Sequence, residues 1–138
     1  MNSTEATEVL NHCYETMFSA PLYASACKGY RRLRTRVATR RFSQEGQTAE
    51  RVLEALNHLP VMFLDKQTPE HIQVVMGGGA ANLNPVVMEI QMDAPECTVT
   101  VWTKEGLLPQ KSAEKAIGRF QKLLQLECIG GLSQPDIR

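Results

Sequence analysis

Seven of the fifteen Lys and Arg residues crowd into fourteen positions, and no acid interrupts them. They are Lys28, Arg31, Arg32, Arg34, Arg36, Arg40 and Arg41, within Lys28-Gly-Tyr-Arg-Arg-Leu-Arg-Thr-Arg-Val-Ala-Thr-Arg-Arg41. Guanidinium groups at this density bind polyanions, by charge and by bidentate hydrogen bonds to phosphate or carboxylate. Read as one extended strand, the run projects Arg32, Arg34, Arg36 and Arg40 to one side and Leu33, Thr35 and Val37 to the other. Two readings are open. One is a surface for a polyanionic partner. The other is a solvated edge strand kept charged against aggregation.

The net charge of zero conceals this asymmetry. Residues 28–41 carry +7, the first 27 carry −3 (Glu5, Glu8, Glu15), and eight bases against twelve acids leave −4 on the rest. Tyr30 and Phe42 flank the run, and the alternation after Cys97 puts Trp102 on the polar side of its strand. Exposed aromatics there would stack on bases or enter a lipid headgroup layer. Phe42 reads more simply as core.

Catalytic signatures are missing. His12, His58 and His71 fall in different elements without an acidic residue at a metal-ligand spacing. Gly77-Gly78-Gly79 lacks the Gly-Lys-Ser/Thr ending of a phosphate loop and opens no helix, so it reads as a hairpin loop. No Ser, Cys or Asp has a nucleophile context. Glu89 falls on the solvent side of its strand. The expectation is a non-enzymatic chain with no cofactor and no metal.

The elements that must position the basic run follow from hydrophobic periodicity. Val9, Cys13 and Met17, with Leu10 and Tyr14, mark a helix over Glu8–Phe18 that Pro21 ends, and small residues from Ser19 to Cys27 read as a linker. Thr35–Ser43 reads as a strand, and Gly46 punctuates it. Thr48 caps a helix with Ala49, Val52, Leu53, Leu56 and Leu59 on one stripe, closed by Pro60. Val61–Lys66 and His71–Met76 are short strands around Thr68-Pro69. Val86–Met92 and Cys97–Thr103 alternate cleanly about the turn at Asp93–Glu96. Ser112 then caps a helix with the stripe Ala113, Ala116, Ile117, Phe120, Leu123 and Leu124, closed by Gly130-Gly131. The expected fold is α+β: a single antiparallel sheet of four to five strands packed under two amphipathic helices, plus an N-terminal helix. Residues 1–27 form the N-terminal helix and linker, and 28–138 the binding domain.

A chain of 138 residues, 43% hydrophobic and 22% charged, suits one such domain and is not disordered in composition. No apolar run approaches the ~20 residues that span a bilayer, and the N-terminus is not signal-like. Cys13, Cys27, Cys97 and Cys128 show no paired spacing, so reduced thiols in a cytoplasmic protein are expected.

This order resembles the kinase-associated C-terminal domain of the microtubule-affinity-regulating and septin-associated kinases, over about residues 30–126. The matching pieces are Arg41-Phe42-Ser43, Val52-Leu53-Glu54-Ala55-Leu56, Val87-Met88-Glu89-Ile90-Gln91-Met92 and the Ala116-Ile117, Phe120, Leu123-Leu124 stripe. It is similar, after residue 48, to the adaptor-appendage platform domain. The resemblance implies a non-catalytic regulatory module that binds anionic phospholipid headgroups, peripheral at a membrane, and restrains a kinase domain. An acidic protein surface is the related partner, a nucleic acid is the alternative, and an adaptor-type peptide groove is third.

Overall fold

Alternation of period two fills one sheet with apolar side chains, and helices then cover both of its faces. The computed structural model describes residues 1–43, 48–68, 70–78, 84–93, 95–105 and 111–126. Its helices are α1 (Ser3–Met17), α2 (Ala24–Arg32), α3 (Ala49–Leu56) and α4 (Ser112–Leu124). Its strands are β1 (Thr35–Ser43), β2 (Val61–Thr68), β3 (His71–Gly78), β4 (Asn84–Asp93) and β5 (Glu96–Lys104). They form one antiparallel sheet in the order β1-β5-β4-β3-β2. Strands β2 to β5 make a meander, and β1 lies beside β5 as one edge, from Thr35 opposite Lys104 to Ser43 opposite Glu96.

One face carries the main core. Phe42, Ile72, Val74, Met76, Val86, Met88, Ile90, Met92, Cys97, Val99 and Val101 meet Val52, Leu56, Ala113, Ala116, Ile117, Phe120 and Leu124 of α3 and α4. Each large side chain buried there contributes roughly 1.5–3 kcal/mol of hydrophobic stabilisation. Thr48 caps α3, its Oγ1 accepting from Arg51 N at 3.2 Å. Ser112 does not cap α4: it is the first helical residue, and its N–H donates to a Glu105 carboxylate oxygen at 2.6 Å. Gly77 and Gly78 extend β3 rather than a loop. The punctuation expected at Gly46, Pro69 and Gly130-Gly131 lies outside the described residues.

The opposite face holds a second, smaller core that the sequence pattern does not announce. Helix α1 starts at Ser3, after an Asn2–Glu5 capping box, and buries Ala6, Leu10 and Asn11 rather than the Val9, Cys13, Met17 stripe. Ala6 and Leu10 pack with Tyr30, Val87 and Trp102. Trp102 is thus 3% exposed, not on a polar side, and its indole N–H donates to Ser3 Oγ at 3.2 Å. Strand β5 is buried continuously from Val101 to Lys104 because helices lie on both of its faces. The register lines Val37, Trp102, Val87, Val75 and Phe63 into one row across the sheet. Helix α1 covers its centre, leaving Val37 55% and Phe63 62% exposed at the two edges.

Residues 19–27 are not a linker. A 3-10 turn at Pro21–Tyr23 leads into α2, which runs back antiparallel to α1 and crosses the expected division at 27/28. Aromatic rings hold this hairpin together. Tyr14 stacks on Tyr30 at 4.0 Å, Phe18 tilts against Tyr14 at 4.7 Å, and Tyr23 meets Phe18 edge-on at 5.1 Å.

Candidate anion-binding surface

The basic run is split between two elements, which corrects the single-strand reading. Lys28, Arg31 and Arg32 belong to α2, Arg34 lies in the connection, and Arg36, Arg40 and Arg41 belong to β1. Phe42 decides how β1 is turned. Its ring must enter the core, so Arg40 and Arg36 share its face and emerge past the α3–α4 side of the sheet edge. Val37, expected on the side opposite Arg36 and Arg40, does stand on that other face, with Thr39 and Arg41, and is largely exposed. The arginines therefore spread around an edge and a helix end rather than lining one strand face.

Two of the seven cations are paired. Arg31 Nη2 donates to Glu15 Oε1 at 3.1 Å, and Arg41 Nη1 to Glu96 Oε1 at 3.1 Å. The hydrogen bond to Arg31 holds the Glu15 carboxyl below its ordinary pKa and raises that of the guanidinium. Both pairs are solvent-exposed, so each contributes little to stability. Lys28, Arg32, Arg34, Arg36 and Arg40 have no ion-pair partner among the described residues. Of these, Arg40 is half-buried and the other four are exposed.

The aromatics beside the run all lie inside, Phe42 in the core as its simpler reading expected. Tyr30 is buried against α1, Phe42 lies in the main core, and Trp102 sits beneath α1. No base could stack on any of them in this conformation.

Two buried polar clusters lie under α1. Lys104 Nζ, 1% exposed as a residue, donates to Asn11 Oδ1 at 2.6 Å and to the carbonyls of Tyr30 and Arg31 at 3.2 and 3.3 Å. It thereby satisfies the last carbonyls of α2 and places a cation at the negative end of that helix. Burial and the neighbouring Arg31 lower its pKa, with Glu8 opposing. Glu89, expected in solvent, is buried. It accepts at one oxygen from the Met1 α-amino group at 3.0 Å, shares a hydrogen bond with His71 Nε2 at 2.7 Å and accepts from Gln73 at 3.3 Å. Burial pushes the Glu89 carboxyl upward, but these hydrogen bonds outweigh it and hold the group below its ordinary pKa. Neither cluster was legible in the sequence, since Lys104 and Glu89 are both polar residues ordinarily found at a surface.

Among the described residues no three His, Cys, Asp or Glu side chains converge as metal ligands. Cys13, Cys27 and Cys97 are free thiols, and burial raises Cys97 to about 11, far from nucleophilic. Among the described residues no helix is long and apolar enough to cross a membrane. Comparison with known protein families, curated proteins and solved structures found no match. The fold places the chain as an α+β protein with one five-stranded antiparallel sheet.

Proposed function

We propose that this chain is a non-catalytic binding module whose α2–β1 surface attaches it to anionic membrane headgroups. The observation that carries the reading is the five cations, Lys28, Arg32, Arg34, Arg36 and Arg40, with no acidic partner among the described residues. Each such cation near an anionic leaflet contributes roughly 1 kcal/mol of attraction. The order strand, helix, four strands, helix over residues 35–124 supports the resemblance to the kinase-associated domain. The same surface serves an acidic regulatory protein segment as the second reading, which the open edge of β1 favours. Nucleic acid is the weaker alternative because Tyr30, Phe42 and Trp102 are inside.

The test is sedimentation with phosphatidylserine-containing vesicles. The Arg32→Glu/Arg34→Glu/Arg36→Glu variant loses binding while its melting temperature stays near that of the parent. Unimpaired vesicle binding by that folded variant sinks the proposal. So does tight binding to a defined nucleic acid at physiological salt without vesicle binding.

A further inference from the structure

The turn of the α1–α2 hairpin is an exposed segment without charge. From Thr16 to Cys27 twelve successive residues carry none, between Glu15 and Lys28. Every residue from Ser19 to Ala26 is exposed, with Leu22 at 83% and Tyr23 at 39%. An aliphatic side chain held this far into solvent, beside a half-exposed tyrosine, has no role in either core. It is nonetheless firmly mounted. The rings Tyr30, Tyr14, Phe18 and Tyr23 run in contact from the second core to the turn.

The cations begin where the uncharged segment stops. Ala24, Lys28 and Arg32 stand at i, i+4 and i+8 along one exposed face of α2. The rise of that helix separates the first from the last by about 12 Å. An apolar tip followed by cations over such a distance matches the layering of a bilayer surface. Side chains at the tip would enter the headgroup and acyl boundary, roughly 5–10 Å deep, while lysine and arginine stay among the phosphates.

We propose that the hairpin turn, led by Leu22 and Tyr23, is a wedge that inserts into an anionic bilayer once the basic surface has docked. The proposal rests on the membrane reading above and deepens it, since a purely electrostatic surface needs no inserted side chain. Charge complementarity selects the occupant: the α2 face beyond the tip carries Lys28 and Arg32 and no acid, which suits an acidic lipid surface.

The experiment uses the full chain with a Leu22→Trp substitution and vesicles of phosphatidylcholine and phosphatidylserine. Trp102 is the chain's one native tryptophan and is already buried, so the new indole supplies the response. Its emission should shift to the blue on serine-lipid vesicles and be quenched by brominated acyl chains. A Leu22→Ser/Tyr23→Ser variant with parental melting temperature should bind these vesicles about tenfold more weakly. Unshifted, unquenched emission on vesicles that carry the protein down overturns the wedge and leaves the electrostatic reading intact. Parental affinity in the double-serine variant also overturns it. If the parent chain itself fails to sediment with serine-lipid vesicles, both readings fall together.

Discussion

Lys104 Nζ and Asn11 Oδ1 stand 2.6 Å apart beneath the helical hairpin, joining the last strand to the first helix. Among the described residues no carboxylate pairs with this ammonium. The ammonium instead satisfies carbonyls at the end of α2 and lies 5.0 Å from the centre of the Tyr30 ring. One side chain thus ties α1, α2 and β5 together, which fixes where the basic helix leaves the sheet.

Replacing Lys104 with Met keeps the stem and removes the donor. Asn11 and two backbone carbonyls then lose a partner in a buried place. The expected cost is about 1–3 kcal/mol, read as a lower urea midpoint. Emission from Trp102, in the same small core, should report the hairpin loosening. An unchanged midpoint would mean that water reaches these oxygens.

Phe120 belongs to the other core and is fully buried between α4 and the sheet. Truncation to Ala should cost about 3–5 kcal/mol, as large-to-small changes in tight cores do. A loss below about 1 kcal/mol would show that α4 is misplaced on the sheet.

Charge accounting separates paired from unpaired arginines. Arg41→Gln combined with Glu96→Gln leaves net charge unaltered and should leave vesicle binding unaltered. Arg36→Gln removes an unpaired charge and should weaken binding about fivefold, the equivalent of roughly 1 kcal/mol. Equal losses in the two variants would point to a contact at Arg41 and against a surface acting through its net field.

Glu89 supplies the pH dependence. Its folded pKa lies below the ordinary value of 4.5, so on acidification the unfolded chain takes up the proton first. The stabilisation is therefore complete above that ordinary value and is lost as pH falls through the lower, folded one. Glu89→Gln should flatten this acid limb when urea midpoints are followed from neutral to acid pH. A wild-type limb of the same steepness in the variant would assign the acid sensitivity elsewhere.

Much of the scaffold was legible because it rests on local pattern. Thr35–Ser43 is the strand that alternation and Gly46 suggest, and Thr48 caps the helix whose start it marks in the sequence. Met88, Ile90, Val99 and Val101 point inward because period-two alternation leaves a half-buried strand one choice of face. The cations of the candidate surface were legible as a list. Their arrangement was not, since α2 has one buried side chain, Tyr30, and so no apolar stripe to announce a helix.

What the sequence alone determined is the main core and the concentration of positive charge between residues 28 and 41. The tertiary structure decided the rest. Docking α1 on the second sheet face buried Trp102 and Glu89, which alternation had assigned to solvent, and enclosed Lys104 beside them. The entry of Phe42 into the main core turned Arg36 and Arg40 to one side of the edge and Val37 to the other. The cause is common to both: local pattern records which residues share a face, while burial depends on what a distant segment lays against that face.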